Sequence, residues 1–207
     1  MGKQVIFNSE DINQLEKKRR ISFINSVSGF KSASLIGTSD KHGNYNLAIF
    51  NSVMHIGANP PLLGFIMRPV TVPRHTYENI KEIGHYTINF VSAPMLERAH
   101  QTGAKYEKEA SEFVECGFEP ELHKDFKAPF VKESKIKLGM DFKEELPIKA
   151  NGTILIIGEI KYILIEDEQL ILENGAIDLI ASDTVAVAGL DTYFSPHFLK
   201  KLPIPRP

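Results

Sequence analysis

Two arginines, Arg68 and Arg74, stand in the stretch ANPPLLGFIMRPVTVPRHTYENI, residues 58–80, just ahead of a threonine. Pro60 and Pro61 fix φ and keep helix out of the segment before LLGFIM, a strand candidate that Arg68 closes. Thr76 then suits the N-cap of a short helix, TYENIKEI, which Gly84 can end. Open amides and the positive end of a helix dipole favour a phosphate, and guanidinium groups add charge-assisted hydrogen bonds. The same residues also admit a plain reading, in which Thr76 only caps its helix and both arginines face solvent.

A second stretch, LIGTSDKHGNYNLAIFNSVMHIG, sets Asn44, Asn46, Asn51 and Ser52 about an otherwise apolar strand. Polar groups at strand positions near a turn can pair with the edge of a flat heteroaromatic ring, with backbone amides adding bonds. They can equally satisfy the turn carbonyls of an ordinary hairpin.

Other chemistries lack their signatures. No GxxxxGK[ST], GxGxxG, HExxH, CxxC or GxSxG occurs. The seven histidines are scattered, with no close pair at metal-ligand spacing, so no metal site is expected. Cys116 sits beside Glu115 and reads as a half-buried helix thiol, dulled as a nucleophile by the neighbouring carboxylate.

At 207 residues and 43% hydrophobic, the chain can bury a real core. Its formal charge of −2, from 24 basic and 26 acidic residues, offers no basic excess for nucleic acid or an anionic membrane surface. The most apolar stretch, TILIIGEIKYILI, is broken by Gly158, Glu159 and Lys161 and is too short to span a bilayer. MGKQVIFNSEDINQ carries no apolar run of signal-peptide length, and a lone cysteine forms no internal disulfide. A soluble protein of a reducing compartment, most simply the cytoplasm, is expected.

Helices are expected over residues 9–25, with Ser9 as cap and a stripe of Ile12, Leu15, Ile21 and Ile24. Others are expected at TYENIKEIG, at APMLERAHQTG and at EASEFVECG. Strands are expected over residues 34–38 and at AIFNSVMHIG, LLGFIM, HYTINFV, IKLGMDF, TILIIGEIKYILI and TVAVAGL. Ile136, Leu138, Met140 and Phe142 alternate at period two, as on a half-buried sheet. Short helices without steady βαβ alternation argue for a closed or nearly closed antiparallel barrel with helical decoration.

Together, these stretches resemble the flavin reductase-like family of FMN-binding split barrels. The matching pieces run in order: Thr38-Ser39-Asp40, Gly43, Asn46, Ser52, Pro60-Pro61, then Thr76, Asn79, Ile80 and Gly84 before HYTINFV. EASEFVECGF resembles the family's acidic-Phe segment, and KESKIKLGMDF and ILIIGEIKYILIED its two long strands. The match spans most of residues 20–195. It implies a mainly β fold, a Greek-key-like split β-barrel with short peripheral helices. One domain over residues 1–207 would carry a helical N-terminal extension (1–25) and a helical insertion (92–117).

The resemblance also implies a homodimer with FMN at or near the subunit interface. NADH or NADPH would give hydride to the bound FMN, with electrons passing to free flavin, a monooxygenase or another acceptor. Because the cofactor carries that chemistry, no catalytic acid–base dyad is expected. Ring contacts are implied at Asn46, Ala48, Phe50, Asn51 and Ser52, phosphate contacts at Arg68, Arg74 and Thr76, and a further contact at Tyr193 in GLDTYF. An FMN electron carrier of flavoredoxin type and a non-catalytic FMN-binding protein stay open as alternatives. One departure is plain: where many relatives have Pro-Arg-Pro before the first strand, this chain reads Phe30-Lys31-Ser32, with Lys31 keeping the charge.

Overall fold

The structure, a computed structural model, describes residues 2–206. The N-terminal helical stretch is two helices, α1 (Ser9–Gln14) and α2 (Lys17–Val27), rather than one. Asn8, not Ser9, caps α1: its side chain accepts from the Glu10 and Asp11 amides, and Asp11 accepts in return from the Asn8 amide. Leu15 and Glu16 then turn extended, and the Glu16 carboxylate caps α2 through the Lys18 and Arg19 amides. Neither helix buries a residue.

After the short β1 (Lys31–Ser32), the chain forms β2 (Ser34–Ser39) and β3 (Tyr45–Phe50), joined by a hairpin. The Asp40 carboxylate in that turn accepts from the His42 and Asn44 amides and from the Asn44 side chain. Asn44 is thus a turn residue, the plain reading for that position. The stretch AIFNSVMHIG is not one strand. It breaks after β3 at residues 51–53 and resumes as β4 (Met54–Ala58), which pairs with β5 (Pro61–Met67). Next come α3 (His75–Ile83), β6 (His85–Phe90), α4 (Leu96–Gln101) and α5 (Glu112–Glu115). The helix expected at EASEFVECG is therefore only its middle. Besides β1, strands also lie where none was expected at β7 (Pro120–Glu121), at β8 (Phe130–Val131) and after TVAVAGL. The long hairpin of β9 (Ile136–Ile148) and β10 (Thr153–Ile165) follows, then β11 (Ala186–Ala188) and β12 (Thr192–Phe194).

The main sheet has seven strands in the order β3-β2-β6-β9-β10-β5-β4. Every pairing within it is antiparallel. The first hairpin and the β4–β5 hairpin occupy opposite edges, and β6 returns beside β2, a Greek-key-like path. The edges do not pair, so the barrel is split. Across the gap, the Ser52 hydroxyl accepts from the Ile66 amide at 3.0 Å and donates to the Ile66 carbonyl at 3.4 Å, pinning the β3–β4 break onto β5. Ile36, Phe65, Tyr86, Ile88, Met140 and Ile156 fill the interior with Ile80 of α3. A second core, around Leu35, Leu47, Met95, Phe113 and Val187, packs α4 and α5 on the other face.

Candidate functional site

The site is built where α3 meets the β2–β3 hairpin. Thr38 and Asn46 are cross-strand partners on that hairpin. Asn79 donates to Thr38 Oγ1, and Asn46 donates to Thr76 Oγ1, each at 3.1 Å. All four are buried, so each polar group needs the partner it has. Thr76 and Asn79, three apart on one helix face, therefore anchor α3 to the sheet. This corrects the expectation for Thr76. The N-cap is Arg74, with no side-chain cap hydrogen bond, and the Thr76 hydroxyl is taken by Asn46. The first turn of α3 is left without a side-chain cap, while Gly84 closes its far end in the left-handed conformation, as expected.

That uncapped end opens onto a cleft of about 1150 Å³. The implied ring and phosphate contacts line it: Asn46, Ala48, Phe50, Asn51 and Ser52 from β3 and the break after it, and Arg68, Arg74 and Thr76 around the head of α3. Tyr193 of β12 completes the wall. Arg68 follows β5 and is exposed, with no hydrogen bond or ion pair among the described residues. The Arg74 guanidinium is steadied by the Pro69 carbonyl at 3.3 Å. The Asn51 side chain donates to the Gly189 carbonyl at 3.0 Å, tying the β3–β4 break to the β11–β12 turn. Lys31 is not at the cleft: its ammonium donates to the Asn25 carbonyl at 2.7 Å and the Ser28 hydroxyl at 2.8 Å, closing the C-terminal end of α2.

The sequence did not single out the opposite wall, which comes from residues 100–112. His100 Nδ1 lies 2.8 Å from Tyr193 Oη, with the rings edge to face at 5.7 Å. Burial pushes the Tyr193 phenol above its usual range, and Asp191 adds to the shift. Lys108 reaches Glu78 of α3 at 3.5 Å, an exposed pair that ties the loop across the cleft with little stabilisation. Glu112 is buried and accepts from the Leu47 amide at 2.9 Å, satisfying the free edge of β3.

Burial pushes the Glu112 carboxyl above the usual carboxylate range, against the pull of the Leu47 amide, its own amide and His75. A carboxyl raised in the folded state favours folding while protonated, and that contribution is lost as pH rises through the folded value. Glu112→Gln, which keeps the acceptor but does not titrate, should therefore gain stability relative to the native chain on going from acid to neutral pH. Urea unfolding at both pH values measures the trend. A difference that stays flat would show that the carboxyl is not its source.

A model of the flavin reductase like domain matches residues 27–179. The chain belongs to that family. A candidate flavin reductase with a split barrel domain from Shewanella frigidimarina NCIMB 400 is 50% identical. Its structure superposes with a TM-score of 0.94, over 98% of this chain and 100% of that one. Nitrilotriacetate monooxygenase component B from Bacillus cereus shares the fold at 18% identity and a TM-score of 0.84, over 98% and 100% of the two chains. Flavoredoxin of Desulfovibrio vulgaris (Miyazaki F) does so at 24% identity and 0.72, over 83% and 90%. Membership sets this chain among flavin-related oxidoreductases. No helix among the described residues is long and apolar enough to cross a membrane. Nor do the described residues include a group of three or more His, Cys, Asp or Glu able to hold a metal ion.

Proposed function

We propose that the chain is an FMN-dependent oxidoreductase that uses NADH or NADPH to reduce flavin, working as a homodimer in the cytoplasm. The uncapped head of α3, beside Arg68 and Arg74 in a cleft of ligand size, carries the reading. Of the backbone amides at that end, Glu78 accepts only from that of Arg74. An anion there would supply acceptors to the amides of residues 75–77, which no side chain among the described residues caps. The residues present fit FMN. Arg68, Arg74 and the first-turn amides of α3 would hold its phosphate. The backbone of Ala48, Phe50 and Asn51 would line the ring edge, on a wall that Ser52 keeps in place through Ile66. Asn46 and Thr76, which hold the helix to the sheet, would also face the ligand from this wall, and Tyr193 would close the side formed by the C-terminal hairpin.

Bound FMN would supply the redox step, taking a hydride from the nicotinamide and passing electrons to free flavin, a monooxygenase or another acceptor. The chain's own share is to neutralise the phosphate, orient the ring and shield one side of it from water. In this reading residues 1–207 form one domain, with the N-terminal helices as an extension and residues 92–117 as an insertion. Family membership supports the flavin, and the monooxygenase component and the flavoredoxin that share the fold support the choice of acceptors.

Fluorescence titration should show FMN bound about tenfold or more tighter than riboflavin, because only FMN offers the phosphate. With FMN present, NADH or NADPH absorbance should decay catalytically. Equal affinity for the two flavins would remove the phosphate site. Tight FMN with no nicotinamide oxidation would leave an electron carrier or a non-catalytic flavin binder.

A further inference from the structure

Residues 195–206, SPHFLKKLPIPR, leave β12 as an arm without helix or strand. Among the described residues the arm makes no hydrogen bond or ion pair. Phe198, Leu199, Leu202 and Ile204 are 71%, 88%, 69% and 87% exposed, more apolar surface than a solvated tail needs. Pro196, Pro203 and Pro205 stiffen it, so docking costs less conformational freedom than it would for a flexible tail. Its charges, Lys200, Lys201 and Arg206, are all positive.

A second surface has the opposite sign. The connection from β10 to β11, residues 166–183, exposes Ile171, Leu172, Leu179 and Ile180. Glu166, Glu168 and Glu173 lie among them, exposed and without an ion pair among the described residues. Apolar side chains rimmed by acids match apolar side chains interleaved with lysines. Phe194 pairs with Ala186, so the arm leaves the sheet close to the end of its own acidic connection. The fold nevertheless leaves both uncovered. A two-fold axis beside this point would satisfy both at once, each arm lying on the other copy's connection.

We propose that the arm of one protomer docks on residues 166–183 of a second copy of this chain, in reciprocal exchange. The proposal rests on the homodimer reading and adds its mechanism. Sedimentation velocity on the full chain tests it. Lys200→Glu with Lys201→Glu should weaken dimerisation about tenfold or more, and Glu168→Lys with Glu173→Lys should do the same. Mixing the two reversed proteins pairs opposite charges in both contacts and should restore dimerisation to near the native level. Chains carrying Leu199→Cys mixed with chains carrying Leu172→Cys should then form an inter-chain disulfide. A stable dimer indifferent to all four charge changes would overturn the arm exchange while leaving the homodimer standing. A native chain that stays monomeric at every concentration would overturn both. A disulfide formed only within one chain carrying both cysteines would show that the arm folds back on its own connection.

Discussion

Replacing Arg68 by Ala should weaken FMN ten- to hundredfold, roughly 1.5–3 kcal/mol, and leave riboflavin almost unaffected. The selectivity follows from position. Arg68 stands at the end of β5, exposed and without an internal partner among the described residues, so nothing in the fold depends on its charge. The strand's hold on the cleft wall runs instead through the Ile66 backbone and Ser52, which the substitution leaves in place. A lost guanidinium should therefore appear as lost phosphate affinity, not lost stability. Parallel fluorescence titrations with FMN and riboflavin, alongside a thermal melt, separate the two. If both flavins weaken together, Arg68 supports the ring or the fold and the phosphate assignment fails. Arg74 offers a graded comparison. Its guanidinium is already engaged by the Pro69 carbonyl, so Arg74→Ala should weaken FMN while also loosening the loop ahead of α3.

Much of this arrangement was legible because the sequence carries it locally. The period-two run from Ile136 to Phe142, the glycine at 84 and the prolines ahead of LLGFIM each act within a few residues of where they stand. Roles that depend on distant partners were not. The spacing of Thr76 and Asn79 marks one helix face, but whether a threonine caps or cross-links depends on Asn46, thirty residues away. Glu112 reaches the Leu47 amide across 65 positions, and His100 reaches Tyr193 across 93, so no local pattern announces either. The break in AIFNSVMHIG is an intermediate case. Asn51 and Ser52 were visible as polar residues in an apolar run, and they were read as ligand contacts. In the fold their side chains also hold Gly189 and Ile66, ending the strand and fastening its end at the cleft wall, a role that the local pattern does not announce. For Lys31 the charge was legible and its direction was not: the ammonium turns back to α2.

Gly158→Ala should destabilise the fold by about 1–3 kcal/mol, the range for forcing a methyl into a packed interior. For a chain of this size, that lowers the melting temperature by roughly 2–12 °C. Gly158 lies in β10 between Leu63 of β5 and Phe142 of β9, next to a register shift in the β9 pairing. A Cβ there would overlap the Tyr86 hydroxyl and stand 2.9 Å from both the Tyr86 Cζ and the Asp141 carbonyl oxygen. The ring cannot swing away freely, because Tyr86 is fully buried and packs edge-on against Phe65 at 5.7 Å. Its hydroxyl is buried without a hydrogen-bond partner among the described residues, and desolvation pushes the phenol far above its usual range. Tyr86→Phe therefore removes an unsatisfied polar group along with one of the three clashing atoms. Alone it should leave stability level or raise it. Combined with Gly158→Ala, it should recover part of the loss but not all, since the Asp141 carbonyl and the ring carbon stay. Urea unfolding of the native chain, both single variants and the double variant closes the cycle. A coupling near zero would mean that the hydroxyl is not what excludes a side chain at 158. The same strand pairs Leu155 with Ile66, the residue that holds Ser52, so a shift in β10 bears on the cleft wall. FMN affinity should then fall with Gly158→Ala and return with the double variant in the same proportion as stability.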